Sequence, residues 1–285
     1  MIILDGSMGN ELLKRTSKPS SGLWSAQFLI DSPNLVKEVH QAYVDVGAQV
    51  ITTNTYSTIP SYLEKENKTH LMKDLIKKAG AIAREVADAN NQETLVAGSL
   101  PPLDESYRPD LVPEEKESIP IYEELIEELN AYVDIFLCET VSSIAETSNI
   151  LKAVKNKAKQ DKKIWLSWTL LEDKSCKLRS KETIEEAFQL AESFNPDAYL
   201  FNCTDPNAIT EGIKKLSKLT EKPIGCYPNV FGVPFDWTLD NDVQVEPRNL
   251  SVEQFVEYKN LWEDLGASII GGCCGLGPEY IKAVS

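Results

Sequence analysis

The chain is poor in the residue types that mark several common classes of protein. Its 285 residues contain only six cysteines, too few for a disulfide-stapled scaffold, and only two histidines. The start lacks the basic and apolar segments of a signal peptide, and no apolar run approaches the ~20 residues that span a bilayer. We therefore expect a soluble, cytoplasmic protein whose thiols are normally reduced and whose partners do not include a membrane.

Positive charge is also scarce. There are 29 Lys and Arg against 44 Asp and Glu, which gives a formal net charge of -15. Binding of nucleic acid requires clustered basic residues, so this balance argues against a nucleic-acid partner. The acidic excess favours solubility or a mild attraction for cationic ligands, and it does not indicate an oligomeric state.

Short apolar runs alternate with amphipathic stretches along the chain. Helical patterns, such as those over 69–90 and 181–194, separate nearly every pair of predicted strands, which favours parallel strands with right-handed crossovers. Eight such units predict an α/β fold, a (β/α)8 TIM barrel that forms a single domain over residues 1–285. A doubly wound open sheet is the alternative, but no glycine-rich dinucleotide fingerprint follows the first strand. The predicted strands are 2–4, 49–53, 94–98, 134–138, 164–168, 198–202, 223–226 and 268–271.

Helix boundaries are marked clearly in two places. Over 31–47, Ser32 is placed to cap a helix, Pro33 suits its first position and Gly47 suits its end. Near the C-terminus, Ser251 and Gln254 have the spacing of a capping box.

Polar groups and cysteines follow several strands at the end where a barrel builds its active site. They are Asp5, Gly6, Thr53, Glu139, Asn202, Cys203, Cys273 and Cys274. Two long loops, 101–118 and 236–249, are long enough to form part of a site.

Cys203 and the adjacent pair Cys273 and Cys274 are the candidate metal ligands. Three thiolates at one barrel mouth would suit a zinc ion with an open fourth position. No CxxC pair is present, so core packing and redox chemistry remain alternatives to a metal site. We interpret Cys138, Cys176 and Cys226 as structural, and both histidines, His40 and His70, as helix residues.

Two carboxylates also follow predicted strands. Asp5 is placed either to cap a turn or to bind a ligand, and Glu139 either to face a helix N-terminus or to bind a ligand. A carboxylate at a barrel mouth can hold an ammonium group by a charge-assisted hydrogen bond.

Taken together, these pieces resemble the homocysteine S-methyltransferase family in type and in order. The matching stretches are DGSMGNEL at 5–12, LWSA at 23–26, TNTY at 53–56, ET at 139–140, NC at 202–203 and GGCCG at 271–275. They cover nearly the whole chain, and their combination is far more specific than any single piece. Ser7 departs from the family pattern, in which glycine or alanine is commoner.

The resemblance implies an enzyme that transfers a methyl group from a sulfonium donor, S-methylmethionine or S-adenosylmethionine, to the thiol of homocysteine. It implies zinc held by Cys203, Cys273 and Cys274, with homocysteine bound through its sulfur. It further implies that Glu139 and the Asp5–Gly6 turn hold the amino-acid end of homocysteine, with Thr53 and Asn202 as additional contacts.

Several points stay open at this stage. We hypothesise that Tyr56, Trp168 and Tyr227 stabilise the cationic donor through their rings, although barrel packing would also explain them. The loops 101–118 and 229–249 are the expected determinants of the donor. Alternatives are another thiol or selenol acceptor such as selenocysteine, a donor such as betaine, a phosphate site in the 271–275 loop, and a non-enzymatic zinc or thiol protein.

Overall fold

Eight parallel strands form a closed barrel. The computed structural model describes residues 1–17, 21–90, 93–173, 175–234, 237–238, 243 and 245–285. The strands hydrogen-bond in the order 2–3, 267–270, 224–227, 198–202, 163–168, 135–141, 95–100 and 50–52, and a parallel bridge between Leu4 and Val50 joins the first and the last of them. The predicted (β/α)8 barrel is therefore confirmed.

The barrel strands match the eight predicted runs to within a few residues. The largest difference is β4, which continues three residues beyond the predicted end because its register shifts after Cys138 and its pairing resumes at Val141. The strands are β1 (Ile2–Ile3), β2 (Val50–Thr52), β3 (Leu95–Leu100), β4 (Ile135–Val141), β5 (Lys163–Trp168), β6 (Ala198–Asn202), β7 (Ile224–Tyr227) and β10 (Ala267–Ile270). A short antiparallel pair, β8 (Phe231–Gly232) and β9 (Glu246–Pro247), lies outside the barrel.

Helices surround this barrel. They are α1 (Met8–Lys14), α2 (Ala26–Asp31), α3 (Pro33–Asp45), α4 (Pro60–Leu63), α5 (Met72–Ala89), α6 (Glu115–Leu129), α7 (Ile144–Lys157), α8 (Ile184–Glu192), α9 (Pro206–Leu216), α10 (Val252–Asp264) and α11 (Pro278–Val284). Among the described residues, no helix is long and apolar enough to cross a membrane.

The predicted helix ends hold with two corrections. Ser251 and Gln254 form the predicted capping box of α10, and Pro33 is the first residue of α3. Ser32 stands before α3, but its side chain makes no capping hydrogen bond because its backbone is not in the usual extended conformation. The predicted helix 181–194 begins later, since Lys181 has a φ of 71° that an α-helix does not accept.

The long loops that the sequence predicts lie at the mouth of the barrel. The first ends at Glu115, where α6 begins, slightly earlier than predicted. Of the second, 236–249, residues 236, 239–242 and 244 lie outside the described residues, and its flanks form β8 and β9.

Apolar side chains pack in two layers, one inside the barrel and one between its strands and the helices. The inner layer includes Leu4, Val50, Ile135, Leu137 and Leu200. Cys138 and Cys226 belong to the outer layer, where free cysteine behaves as a small apolar residue.

His40 is an exception in this outer layer. It is fully buried on α3, and neither ring nitrogen has a hydrogen-bond partner among the described residues. Burial lowers the pKa of His40 to about 4, because the charged ring would lose its hydration.

Acid should therefore destabilise the protein through His40. The folded pKa lies below the unfolded value of 6.5, so stability is present above pH 6.5 and is lost as the pH falls towards 4. We expect His40→Met to remove about 2 kcal/mol of the loss in unfolding free energy between pH 7 and pH 5, measured by urea titration. His70→Met, at an exposed position, controls for the loss of a histidine as such. Equal pH slopes for wild type and His40→Met would contradict the prediction.

Candidate active site

The carboxyl ends of the barrel strands surround a cavity of about 400 Å³. Seven of the eight predicted site residues line it: Asp5, Gly6, Thr53, Glu139, Cys203, Cys273 and Cys274. Asn202 is fully buried beside the cavity and is not one of its described lining residues. None of those lining residues is Lys, Arg or His.

The three candidate cysteines converge at one side of this cavity. Their sulfur atoms all lie within 4.8 Å of one another, and the Sγ atoms of Cys273 and Cys274 are 4.0 Å apart. Cys203 and Cys273 form a disulfide, with their Cα atoms 5.7 Å apart. This pairing differs from the three reduced thiols expected from the sequence, and it arises because the ends of β6 and β10 aim two sulfurs at the same point.

Glycines allow the turn at 271–275 to pass against the start of the chain. A Cβ on Gly271 would lie 2.6 Å from Cβ of Leu4, and a Cβ on Gly272 would lie 2.6 Å from Cβ of Leu276. Gly275 has a φ of 85°, which glycine adopts readily.

Most backbone N–H groups of the same turn form hydrogen bonds to other atoms of the protein. The N–H groups of Gly271, Gly272, Cys273, Gly275 and Leu276 donate to protein oxygen atoms at 2.8–3.1 Å. A phosphate cradle needs free N–H groups, so this geometry argues against the phosphate alternative.

Ser7 and Asn10 link the first helix to this turn. Ser7 caps α1 by accepting from the N–H of Asn10 and donates to Oδ1 of Asn10 at 2.7 Å. Oδ1 of Asn10 also accepts from the N–H of Gly275 at 3.1 Å. Serine at position 7 is therefore accommodated as a helix cap.

Asp5 ties the end of β1 to the end of β2. Its carboxylate accepts from the N–H of Thr52 at 2.7 Å and from the hydroxyl of Thr52 at 3.0 Å. Burial raises the pKa of Asp5 to about 7, and the nearby charge of Glu139 adds to that rise. Asp5 therefore braces a turn, as one of the two interpretations predicted, and it also lines the cavity, the position that the other interpretation requires.

Glu139 lies within β4 and points into the cavity, so it is not a helix-terminus residue. Its Oε1 accepts a short hydrogen bond from the hydroxyl of Ser99, and its Oε2 accepts from the hydroxyl of Tyr227 at 3.4 Å. Burial raises the pKa of Glu139 to about 7. Neither carboxylate has a cationic partner among the described residues, so a cationic ligand that enters the cavity would favour their ionised forms.

Thr53 lines the cavity, but its hydroxyl forms hydrogen bonds within the protein. The Oγ1 atom accepts from the N–H of Ser99 at 3.1 Å and lies 2.8 Å from the hydroxyl oxygen of Thr55. Thr53 thereby fixes the end of β3 beside Glu139.

Asn202 holds the backbone that presents Glu139. Its Oδ1 accepts from the N–H of Thr140 at 2.9 Å and from the hydroxyl of Ser167 at 2.7 Å, and its Nδ2 donates to Oγ1 of Thr140 at 2.8 Å. Thr140 has a φ of 61°, an unusual value for a β-branched residue. This geometry favours a positioning role for Asn202.

The hypothesis of a ring-lined donor site fits two of its three residues. Tyr56 and Tyr227 line the cavity. Trp168 lies in the outer core instead, where it stacks on Tyr199 and donates to Thr147, because its side chain leaves β5 on the helix side. Further aromatic residues line the cavity, Tyr107 and Trp237 among them. The sequence analysis missed them because they lie in loops, where no hydrophobic periodicity predicts the direction of a side chain.

Residues 2–285 match the family model for homocysteine S-methyltransferase. The chain therefore belongs to the homocysteine S-methyltransferase family, as the motifs predicted. The match extends over the whole barrel, so the strands, the cavity and the three cysteines all lie within it.

Individual relatives are similar over almost their full length. Homocysteine S-methyltransferase 1 of Brassica oleracea var. italica is 28% identical, with 99% of this chain and 92% of the relative covered. Selenocysteine methyltransferase of Astragalus bisulcatus is 29% identical, with 99% and 90% covered. The metallated form of the homocysteine methyltransferase MmuM from Escherichia coli aligns with a TM-score of 0.84 at 26% identity, covering 100% of this chain and 95% of MmuM.

Loss of the Asn202 amide should remove the acceptor of the buried Thr140 N–H and one partner from each of the hydroxyls of Thr140 and Ser167. We expect Asn202→Leu to lower the unfolding free energy by about 2–3 kcal/mol, measured by urea denaturation. Asn130 makes two hydrogen bonds, to the backbones of Lys157 and Lys159, and offers a comparison: Asn130→Leu removes fewer hydrogen bonds and should cost less. A loss below about 0.5 kcal/mol for Asn202→Leu would show that the Thr140 turn needs no such support.

Proposed function

We propose that residues 1–285 form a homocysteine-binding barrel that transfers a methyl group from a sulfonium donor to the homocysteine thiol, with zinc as cofactor. The observation that carries this proposal is the convergence of three thiols and two uncompensated carboxylates on one cavity. The proposed donors are S-methylmethionine and S-adenosylmethionine.

The three sulfur atoms fit a zinc ion. Sulfur ligands around a tetrahedral zinc lie about 3.8 Å apart, given Zn–S bonds of about 2.3 Å, and the Sγ atoms of Cys273 and Cys274 are already 4.0 Å apart. Cys203 and Cys273 must be reduced to bind, which suits a reducing, cytoplasmic setting. When bound by Cys203, Cys273 and Cys274, zinc would lower the pKa of a substrate thiol and so supply a thiolate at neutral pH.

Asp5 and Glu139 would bind the ammonium group of homocysteine. Both are buried, both lack a cationic partner among the described residues, and Ser99, Thr52 and Tyr227 fix their orientation. A buried carboxylate without a partner is unfavourable, and an ammonium ion supplies the missing charge. The amino-acid end would then lie beside Asp5 and Gly6, with the thiol directed at the cysteines.

Transfer itself requires positioning more than acid or base chemistry. The homocysteine thiol releases its proton to solvent, and the resulting thiolate attacks the donor methyl carbon and forms a new C–S bond. The old C–S bond breaks, its electron pair remains on the donor sulfur, and the sulfonium becomes a neutral thioether. Aligning the two sulfurs in line with the methyl carbon is the main contribution of the cavity walls.

Purified, reduced enzyme with homocysteine and S-methylmethionine should yield methionine, measured by mass spectrometry. A parallel reaction with S-adenosylmethionine separates the two donors. Selenocysteine is the alternative acceptor, favoured by the similarity to the Astragalus bisulcatus enzyme. No methylation of homocysteine with either donor, together with methylation of a selenol, would assign the acceptor to that alternative; a metal-loaded protein with no turnover at all would favour a storage or sensor role.

Zinc binding should depend on the three cysteines and on their reduction. We expect about one zinc per chain in reduced protein, because three convergent thiols provide a complete set of protein ligands for a catalytic site. Cys203→Ser should lower the metal content strongly, whereas Cys176→Ser, away from the cavity, should not. Reduced wild-type protein that takes up no zinc in equilibrium dialysis would rule out the metal site.

The proposed contact between Glu139 and the ammonium group of homocysteine can be tested by removing either charge. We expect Glu139→Gln to lower kcat/KM for homocysteine by about 30- to 1000-fold, since a buried charge pair loses about 2–4 kcal/mol when one partner is removed. Wild-type enzyme should lose a similar factor with 4-mercaptobutyrate, which lacks the amino group. Glu146→Gln, a buried carboxylate on α7 that bonds to Ser142, is the matched control; an additive loss from the variant and the analogue would disprove the contact.

A further inference from the structure

Arg179 is a buried cation that lies just behind the cavity wall. It belongs to the loop between β5 and α8 and is only 2% exposed. Antiparallel backbone bridges Leu170–Leu178 and Lys177–Thr183 fold the described part of this loop into a hairpin. A guanidinium so deeply buried requires partners, because its desolvation is costly.

The partners of Arg179 come from different loops of the mouth. Its Nη1 donates to the carbonyl oxygen of Val233 at 3.0 Å, and its guanidinium carbon lies 5.1 Å from the ring centre of Tyr107. Its Nη2 lies 3.5 Å from Oε1 of Glu172 on its own hairpin. One side chain therefore connects the loop after β3, the hairpin after β5 and the loop after β7.

Glu172 and Arg179 together form a clasp around the backbone of Val233. Its Oε1 accepts from the N–H of Val233 at 3.5 Å, while Arg179 binds the carbonyl of that residue. Oε2 of Glu172 accepts a short hydrogen bond from Arg248, which also pairs with Asp205. If Arg179 is replaced, Glu172 keeps Arg248 as a cationic partner. The replacement therefore does not leave the carboxylate of Glu172 without a counter-charge.

Tyr107 and Val233 are the residues that this clasp presents to the cysteines. Both pack with Cys203, and Trp237, Cys273 and Cys274 pack against the same cluster. Tyr107 has a φ of 68°, unfavourable for a bulky residue, and its ring meets Trp237 edge to face at 5.8 Å. A backbone in this region persists only where its surroundings hold it.

The clasp lies apart from the two carboxylates proposed to hold the ammonium group of homocysteine. The partners of Asp5 and Glu139 are Thr52, Ser99 and Tyr227, and none of these contacts Arg179 through a hydrogen bond. Tyr107, Val233 and Trp237 line the cavity and pack against the cysteines. A methyl donor must come close to an acceptor sulfur held at those cysteines, so it would meet this wall.

We propose that Arg179 is a positioning residue for the methyl donor, acting by holding Tyr107 and Val233 as the wall of the donor half of the cavity. This rests on the proposed transfer from a sulfonium to homocysteine. A methyl transfer needs its two sulfurs aligned closely, so a displaced wall should weaken the use of the donor more than that of the acceptor.

Steady-state kinetics with each substrate varied in turn test this assignment. We expect Arg179→Met to raise the KM for the sulfonium donor about tenfold and to leave the KM for homocysteine within about twofold. Arg179→Lys, which keeps the charge but not the planar fork, should be intermediate. Arg84→Met is the control, because Arg84 pairs with Asp88 and Asp134 instead of the mouth loops. Equal changes in both KM values, an unchanged donor KM, or the same pattern in Arg84→Met would overturn the proposal.

Hydrogen exchange supplies a readout independent of activity. Segments 101–114 and 228–234 should exchange faster in Arg179→Met than in wild type, and should not change in Arg84→Met. Unchanged exchange in Arg179→Met would refute the positioning role whatever the kinetics. Wild-type enzyme inactive with both sulfonium donors would instead refute the proposed function, and the exchange result would still decide whether Arg179 holds the wall.

Discussion

The close contact between the 271–275 turn and the end of β1 is the constraint on which the site depends. The N–H of Gly272 donates to the carbonyl of Asp5 at 3.0 Å, and a Cβ on Gly6 would lie 2.4 Å from the carbonyl oxygen of Leu276. No residue larger than glycine fits that approach without moving backbone. The contact sets Cys273 and Cys274 beside Asp5. The cysteine thiols and the carboxylates therefore line the same cavity.

Burial without compensation explains why the carboxylates suit a cationic ligand. Among the described residues, Asp5 and Glu139 accept hydrogen bonds from neutral donors only, and burial raises the pKa of each to about 7. A resident lysine or arginine would have stabilised the two carboxylates but would also have occupied the position proposed for the ammonium group of homocysteine. The cavity therefore keeps an electrostatic cost in the free protein that a positively charged substrate relieves.

The sequence predicted the barrel and most of the candidate site for a definable reason. Strand ends such as Glu139 and Cys203 are located by the alternation of apolar runs and helices, and a barrel brings its strand ends to one mouth. The sequence did not predict three residues at or behind the cavity wall: Arg179, Tyr107 and Trp237. They lie in loops, where no hydrophobic periodicity fixes the position of a side chain and where contacts form between distant segments of the chain. The disulfide between Cys203 and Cys273 was likewise not foreseen, since spacing along the chain does not give the distance between two strand ends.

Unfavourable backbone conformations gather at this mouth. Thr140, Cys203 and Tyr107 all have positive φ values, and each is held by a neighbour from another strand or loop. Asn202 holds Thr140, the carbonyl of Tyr227 accepts from the N–H of Cys203 at 3.1 Å, and Arg179 lies against the ring of Tyr107. Such conformations persist where the surroundings over-determine them. Cys203 and Tyr107 line the cavity, and Thr140 directly follows Glu139, which also lines it. The supporting residues behind the wall are therefore as much a part of the candidate site as the groups that line the cavity.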